Sequence, residues 1–409
     1  MFVEIDNSPR DYAWGSIHAI AELLGRAASG QPEAELWLGA HPGSPSRIVH
    51  AEKAGGARDL AEWISLDSPT VLGGATAFPF LLKVLAAETA LSIQVHPSMS
   101  QAQEGFAREN GDGIALDAPN RNYRDASHKP ELIFCVSETF DALCGMREAA
   151  RASDVIRGFV HEGVAFNIAT DELAKLADLL AEKTDDVADV VAMLLEPHSA
   201  RAATIVAQLV AVAAVVPPTS VIESDASTVR LLSAEYPADP GIAVAVLMNR
   251  VQLRRGEALY VEHGVMHAYL SGLGIEIMAA SDNVLRGGLT SKHIDVPELL
   301  KVGVFRPSHP VILEAQKLAT GVDLYAPGVS EFELLHVRVT EPNPVPDLQI
   351  DGPAIALCID GHARIEGTAS GVEMHRGSAI FMTPDEQSVR ISGSAEIFIA
   401  RPGENPTIT

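Results

Sequence analysis

Short apolar runs broken by glycine and proline fill the first 146 residues of the chain and return after residue 235. Runs of this kind, such as Leu132–Val136, are typical of buried β-strands. In the stretch between them, apolar residues recur at helical spacing, as in Leu173, Leu176 and Leu180, and turn residues become rare. The pattern therefore predicts a β-domain that is interrupted by several short helices.

The last part of the chain shows a third pattern. Short alternating runs such as Phe332–Val339 follow one another with regular turns between them, which predicts a second β-sandwich or barrel. We therefore predict a mainly β protein. Its predicted divisions are 1–146 and 236–313 for the two halves of the first β-domain, 147–235 for the helical insertion and 314–409 for the second β-domain.

One stretch of the first β-domain, Leu91–Pro97, alternates polar and apolar residues. On a strand, Ser92, Gln94 and His96 project to one face and the β-branched residues between them to the other. Two interpretations fit this pattern. The stretch is either an edge strand with its polar face in water, or a barrel strand that carries metal ligands.

A second motif favours the metal-binding interpretation. Gly256 is followed by five residues, a turn position at Glu262, and then Gly264 and His267. This spacing resembles the second cupin motif, in which two turns direct one histidine into a β-barrel. His263 is a rival ligand, but its position fits the motif less well than that of His267.

In such a barrel, His267 would meet ligands from earlier strands. Gln94, His96 and Glu131 are the natural candidates, and the four together form a mixed nitrogen and oxygen set. This set suits Zn²⁺ or another borderline divalent ion with one position left for water or substrate.

The loop after the motif concentrates positive charge. Arg286 precedes two glycines and Lys292 follows six residues later, while Glu276 lies among apolar neighbours, where a carboxylate is either paired or shifted in pKa. Beside a metal site, the two cations favour an anionic substrate such as a phosphate. The alternative is that they balance Asp282 and Asp295 at the surface.

Composition restricts the class of partner. The 409 residues are 47% hydrophobic and carry a net charge of −24, which argues against binding to nucleic acid or to an anionic membrane surface. The N-terminus lacks the features of a signal peptide. Cys135, Cys144 and Cys358 form no disulfide pattern, so we expect reduced thiols in the cytoplasm.

Several motifs together resemble one family, the type I mannose-6-phosphate isomerases. The resemblance covers about residues 1 to 305 and is carried by Ser92–Pro97, His128–Glu131, His267–Gly272, Asp282–Thr290, Tyr12–Gly15 and Glu35–Trp37. It implies a zinc enzyme, with one Zn²⁺ per chain, that interconverts mannose 6-phosphate and fructose 6-phosphate through a cis-enediol. The residues implied are Gln94, His96, Glu131 and His267 as metal ligands, Arg286, Glu276 and Lys129 as catalytic residues, and Ser92, Lys83, Lys292 and Trp14 as substrate-binding residues.

The resemblance also implies a fold: two cupin (jelly-roll) β-barrels with an inserted α-helical domain. The second barrel is predicted to hold no metal, because Ser388 and Val389 stand about where its histidine belongs. A small-molecule sugar phosphate is the expected partner. We expect a monomer, with a homodimer as the alternative.

Two questions of chemistry stay open at this level. Glu276 is the first choice as the base that moves a proton between C1 and C2, because apolar neighbours raise a carboxyl pKa; Lys129 or a metal-bound water is the alternative. The rival functions are another cupin enzyme, such as an oxygenase or a phosphosugar isomerase or epimerase, and a non-catalytic sugar-phosphate sensor. Departures from the family pattern at Glu262, Ser127 and Ala280 concern loop rigidity and substrate positioning.

Overall fold

The computed structural model describes residues 1–404, which form a mainly β protein with two ten-stranded antiparallel sheets and a helical region. In chain order, the strands are β1 (Phe2–Asp6), β2 (Glu35–Leu38), β3 (Arg47–Ile48), β4 (Phe80–Ala87), β5 (Gln94–Val95), β6 (Glu131–Cys135), β7 (Thr139–Met146), β8 (Met248–Arg254), β9 (Ala258–Val261), β10 (His267–Ala279), β11 (Leu285–Arg286), β12 (Val311–Leu313), β13 (Gln316–Ala319), β14 (Val322–Tyr325), β15 (Glu333–Val339), β16 (Val345–Gln349), β17 (Ala354–Glu366), β18 (Gly371–His375), β19 (Ala379–Met382) and β20 (Ser388–Arg401).

Most of the helices lie between β7 and β8. In chain order, they are α1 (Ala19–Leu23), α2 (Leu60–Leu72), α3 (Met99–Gly111), α4 (Ala149–Ala165), α5 (Asp171–Ala181), α6 (Ala188–Leu195), α7 (Ala200–Ala213), α8 (Glu223–Glu235), α9 (Gly241–Val246) and α10 (Val296–Val302), with a 3-10 turn at Ala51–Ala54. A mainly β chain with a helical region is therefore confirmed. Apolar residues of the helices pack into one core with Ile93, Val95 and Met266 beside the strands.

The two sheets divide the chain unevenly. The first, here called the site sheet, contains β2 and β4 to β12, with the order β11-β5-β10-β6-β9-β12 along its main path. The second, called the distal sheet, contains β13 to β20 together with β1 and β3. The N-terminal strand thus pairs with residues near the end of the chain, from Phe2 opposite Met382 to Ile5 opposite Ala379.

Apolar faces of the two sheets meet in one core. Phe134 of the site sheet packs against Phe398 of the distal sheet with ring centroids 4.9 Å apart. Since side chains alternate along a strand, the residues next to those facing this core project to the other face of the site sheet. Lys83, Glu131 and Glu276 occupy such positions, which places three charged side chains on the face away from the distal sheet.

β10 is the central strand of the site sheet and carries two predicted site residues. Its first half pairs with β5 and β7, and its second half, from Gly272 onward, pairs with β4 and β6. Gly272 has φ +127°, and a Cβ there would lie 2.7 Å from the ring of Phe140. A glycine is therefore required where the strand changes partners between His267 and Glu276.

The predicted strand Leu91–Pro97 is shorter than expected. Only Gln94 and Val95 join the ladder, because the N–H of Leu91 donates to the carbonyl of Tyr269 and that of Ile93 to the carbonyl of Gly288. The alternative of an edge strand with its polar face in water is wrong, since His96 is fully buried. No helix within residues 1–404 has both the length and the apolarity needed to cross a membrane.

Candidate active site

Three polar residues lie in a row across neighbouring strands of the site sheet. Gln94 on β5 stands opposite His267 on β10 and also opposite Arg286 on β11. Residues directly opposite one another in an antiparallel pair project to the same face, with Cβ atoms about 5 Å apart. The register therefore brings two predicted metal ligands and the predicted catalytic arginine together from three separate parts of the sequence.

Two imidazoles meet one carboxylate beside this row. Nε2 of His96 lies 3.3 Å from Oε1 of Glu131, and Nε2 of His267 lies 3.2 Å from Oε2 of the same carboxylate. All three side chains are buried, and they offer donor atoms that lie within 4.8 Å of one another. Ligands bound about 2.0–2.2 Å from a tetrahedral divalent ion are separated by similar distances.

The tautomers of both histidines follow from their second ring nitrogens. Nδ1 of His96 lies 2.7 Å from the carbonyl oxygen of Asn283, and Nδ1 of His267 lies 2.9 Å from that of Val265. Because a carbonyl oxygen only accepts hydrogen bonds, each ring proton sits on Nδ1 and each Nε2 lone pair points toward Glu131. Neither Nε2 atom, nor Oε2 of Glu131, has a hydrogen-bond partner within the described chain.

The charge states of this cluster favour a metal. Burial, and then the neighbouring ammonium of Lys129, lowers the pKa of His96 to about 4, which keeps its ring neutral. Burial raises the pKa of Glu131, but Lys129, whose Nζ lies 3.1 Å from Oε1, and His96 lower it to well below its usual range. The neutral nitrogen lone pair of His96 facing an ionised carboxylate repels it unless a cation lies between them, so the residues present fit a metal ion.

A second buried cluster adjoins the first on β4 and β10. Lys83 stands opposite Glu276 in the ladder, and its Nζ lies 2.9 Å from Oε2 of Glu276 and 3.4 Å from Oε1 of Glu35. The other oxygen of Glu35 accepts a hydrogen bond from the indole N–H of Trp37 at 2.9 Å. One buried ammonium is thus shared by two buried carboxylates.

The two partners respond differently to this arrangement. Burial lowers the pKa of Lys83, but the carboxylates of Glu276, Glu35 and Glu131 outweigh it and raise that pKa above its ordinary value. Burial raises the pKa of Glu276; the cation of Lys83 opposes this, while Glu131 and Glu35 add to it, so the pKa stays above the usual glutamate range. Glu276 is accordingly a stronger base than an exposed glutamate.

A cavity of about 530 Å³ next to Arg286 is lined by several cationic side chains, together with one carboxylate, Asp282. Its lining includes Arg286, Lys292 and Arg124, and none of these three forms an ion pair with any residue from 1 to 404. Burial and the neighbouring Arg124 lower the pKa of Arg286, and burial followed by Arg286 and Arg124 lowers that of Lys292. These cations repel one another, and a bound anion would relieve that repulsion.

Asn283 connects the metal-ligand cluster to this cavity. Its carbonyl accepts from His96, while its side-chain oxygen accepts the N–H of Arg124 at 2.7 Å and its amide donates to the carbonyl of Ser127 at 2.8 Å. Asn283 is fully buried and its polar groups are satisfied within these loops. The position of Arg124 in the cavity therefore depends on the same residue that orients His96.

The remaining predicted residues lie at the edges of the site. Trp14 is half-buried, stacks on Tyr12 with ring centroids 5.7 Å apart, and packs against the apolar cluster that contains Tyr269. Ser92 is half-buried and precedes Gln94 by two residues. The lining of the cationic cavity includes neither Ser92 nor Lys83.

His263, the rival ligand, is exposed and lies 3.7 Å from Glu262, away from the buried cluster.

No sequence pattern assigned a role to Arg124, Glu35 or Asn283. Glu35 had a weak signal, since it is the one charged residue of its strand and alternates with Trp37. Arg124 lies in an irregular loop, where no periodicity indicates the direction of a side chain. Asn283 had only its place within the motif Asp282–Thr290.

Similarity to known proteins extends over nearly the whole chain. Residues 2–149 match the family model for phosphomannose isomerase type I, catalytic domain. Mannose-6-phosphate isomerase of Escherichia coli (strain K12) is 35% identical over 405 residues, with 96% of this chain and 97% of that protein covered.

Two solved structures agree with this result. Mannose 6-phosphate isomerase in a zinc-bound holo form has a TM-score of 0.85 and 32% identity, with 98% of this chain and 100% of that chain covered. The apo form from Salmonella typhimurium has a TM-score of 0.84 and 31% identity, with 98% and 99% covered.

Proposed function

This chain belongs to the type I phosphomannose isomerases, and on that premise we propose that it interconverts mannose 6-phosphate and fructose 6-phosphate with one zinc ion per chain. The observation that carries the proposal is the pairing of two features. Two buried histidine Nε2 atoms converge on the ionised Glu131, and three cations without ion-pair partners among residues 1–404 line the adjoining cavity beside Asp282.

His96, Glu131 and His267 would hold the zinc ion, with Gln94 as the fourth ligand because it stands opposite His267 in the ladder. Carbonyl groups that accept from each Nδ1 fix the two rings in the tautomer that metal binding needs. Zinc bound there supplies a Lewis-acid charge that favours negative charge on the substrate's oxygens.

The cationic cavity would bind the phosphate. Arg286, Lys292 and Arg124 supply three positive charges in a protein whose net charge is −24, so the local field opposes the overall one. Arg286 also lies next to Gln94 in the ladder, which lets its guanidinium stabilise charge at the sugar's reacting end. We assign Trp14 and Ser92 to the sugar-facing edge of the site.

Glu276 would move the proton. In the open-chain sugar, its carboxylate removes the proton from C2 and returns it to C1, while the hydroxyl proton passes from O2 to O1 and gives the ketose. Burial and nearby carboxylates keep the pKa of Glu276 above the usual range, which favours both the uptake and the return of the proton. Lys83 holds the carboxylate in place, and Lys129 is the alternative base.

Two sheets and a helical region make up the described chain. We propose that each sheet forms a cupin jelly-roll barrel, with 147–235 as the helical domain. Residues 1–146 and 236–313 would build the zinc-binding barrel, except that β1 and β3 join the distal sheet. The described residues of the predicted division 314–409 would build the second barrel, which holds no metal. The helices α4 to α8, which fill residues 149–235 between strands of the site sheet, support the helical part of this division.

The experiment that tests the reaction is an NMR assay of zinc-loaded protein with mannose 6-phosphate in D₂O. We expect fructose 6-phosphate to form, and deuterium to enter at the carbon that exchanges its proton through the base. Unphosphorylated mannose, the matched control, should turn over far more slowly. A folded, zinc-loaded sample that binds the sugar phosphate without converting it would favour the sensor function instead.

Removing one cation of the cavity should weaken substrate binding more than chemistry. We expect Lys292→Ala to raise KM about tenfold with a smaller change in kcat, because a hydrogen bond to a charged group contributes about 1.5 kcal/mol. Steady-state kinetics would measure both constants. Lys317→Ala, which removes an exposed lysine from the distal sheet, is the control and should leave KM unchanged. A KM for Lys292→Ala within error of the control would contradict the phosphate assignment.

A further inference from the structure

A short segment at the end of the helical region, Glu235–Asp239, contacts two loops of the site sheet. Oε2 of Glu235 accepts the N–H of Ala90 at 2.7 Å, and the hydroxyl of Tyr236 donates to the carbonyl of Ala90 at 2.7 Å. The backbone of Ala90 is therefore held at both of its polar groups. Two residues later in the chain comes Ser92, followed by the ligands Gln94 and His96.

Asp239 holds the second loop. Its Oδ1 accepts the N–H of Leu289 at 2.9 Å, and its Oδ2 accepts that of Thr290 at 3.1 Å. Oδ1 also accepts the N–H of Gly241 at 2.7 Å, which ties the carboxylate to the backbone of the turn that contains Asp239. A carboxylate that accepts three backbone N–H groups is held firmly in one orientation. Leu289 and Thr290 lie between Arg286 and Lys292 in sequence.

The backbone of this loop is strained and tightly packed. Leu289 has φ +55°, a value that a residue with a branched side chain rarely adopts. A Cβ added at Gly241 would lie 2.6 Å from the nitrogen of Leu289, and one added at Gly288 would lie 2.4 Å from Cα of Gly241. The two backbones approach as closely as glycine allows, and the bonds to Asp239 hold Leu289 in its strained conformation.

The two loops also bind each other. The N–H of Ile93 donates to the carbonyl of Gly288 at 3.1 Å, and that of Gly287 donates to the carbonyl of Ile93 at 2.8 Å. Residues 235–239 therefore bind both loops, and the two loops bind each other. One loop leads into the strand that carries Gln94, and the other carries Arg286 and Lys292.

We propose that Asp239 is a positioning residue, which holds the Arg286–Lys292 loop so that its cations converge on the phosphate cavity. The proposal rests on the proposed function, because it takes that cavity as the phosphate site. Asp239 is not among the residues that line the cavity, and its carboxylate accepts hydrogen bonds from Gly241, Leu289 and Thr290. Its effect is exerted through the backbone of Leu289 and Thr290. In this way the segment between α8 and α9 determines how tightly the sugar phosphate binds.

A merely structural role makes a different prediction. If Asp239 only stabilised the fold, its loss would lower the melting temperature, and the folded fraction would bind phosphate normally. A positioning role weakens phosphate binding in protein that is fully folded. The affinity for inorganic phosphate in the zinc-loaded protein therefore separates the two roles, and it does so without requiring any turnover.

The test compares Asp239→Ala and Asp239→Asn with the wild type, and uses Gln208→Ala as the control. Gln208 joins α5 to α7 through bonds to Leu173 and Asp171, so its loss perturbs the helical region without contact with either loop. Calorimetry with inorganic phosphate, the melting temperature and bound zinc are measured for each protein. Steady-state kinetics with mannose 6-phosphate supply kcat and KM.

We expect the phosphate Kd of Asp239→Ala to rise about tenfold, the equivalent of one lost hydrogen bond to a charged group. Asp239→Asn keeps one acceptor oxygen, so its rise should be smaller, and it decides the question if the alanine variant does not fold. KM should rise in parallel with little change in kcat, and bound zinc should stay the same. Gln208→Ala should melt at a lower temperature with an unchanged Kd.

Three results would overturn the proposal: an unchanged Kd in folded Asp239 variants, an equal rise in Gln208→Ala, or no phosphate binding by the wild type. A wild type that binds phosphate but does not isomerise mannose 6-phosphate would count against the proposed reaction alone. The ratio of phosphate affinities would still decide the role of Asp239 in that case.

Discussion

His267→Ala should purify without tightly bound zinc and lose isomerase turnover by about a thousandfold, since several kcal/mol of charge stabilisation depend on the metal. Two imidazoles and one carboxylate meet in the buried cluster, and this substitution removes one of the three. Glu131 would keep its contacts with His96 and Lys129. Zinc content by mass spectrometry and turnover of mannose 6-phosphate check the prediction together.

The matched control is His263→Ala, which removes the exposed rival histidine four residues earlier. It should retain one zinc per chain and wild-type turnover. Added zinc should raise the melting temperature of the wild type and of His263→Ala, but not that of His267→Ala, because a ligand stabilises only the fold that binds it. Zinc retained by His267→Ala and lost by His263→Ala would reverse the assignment.

Glu276→Gln should keep its zinc and its substrate affinity but lower kcat by about a hundredfold or more, which is the usual contribution of a positioned base. The amide has nearly the same shape as the carboxylate but cannot remove the proton from C2. It also leaves Lys83 paired with Glu35 alone. Rapid-quench turnover and deuterium exchange into the substrate measure the loss.

Glu257→Gln provides the comparison, because this exposed carboxylate lies in the turn before β9 and only accepts a backbone N–H. It should leave both kcat and exchange unchanged. Near-normal turnover by Glu276→Gln would exclude Glu276 as the base and turn attention to Lys129. A rise in KM with unchanged kcat would show that Glu276 binds the sugar and takes no part in proton transfer.

The residues of the buried cluster could be predicted because each stands in a short local pattern. Gln94 and His96 lie two apart on an extended stretch, and the glycine spacing before His267 separates it from His263. Burial agrees with that distinction, since His267 is 0% exposed and His263 lies at the surface. A local pattern suffices when the backbone itself directs the side chain.

Partners that depend on register or on loop contacts could not be predicted in this way. An isolated lysine at position 83 in an apolar strand indicates something unusual, but only the pairing of β4 with β10 and β2 shows that Glu276 and Glu35 share it. Asp239 contacts residues fifty positions away through their backbone N–H groups, which leave no mark in side-chain chemistry. Nothing in the alternation of Phe2–Asp6 indicates which sheet it joins.

The place of β1 has a consequence for how the protein is made. Residues 2–6 are synthesised before β2 to β18, yet their partners at 379–382 come after all of those strands. At typical translation rates this separation is roughly 20–75 s. The site sheet, built from residues 35–313, can meanwhile assemble and bring its ligands together.

During that interval, the apolar face around Phe134 has no Phe398 to cover it. A nascent chain that stalls before β19 therefore carries the residues proposed for the active site on a sheet whose apolar face lacks part of its cover. Such a species is the one that chaperones would have to protect from aggregation.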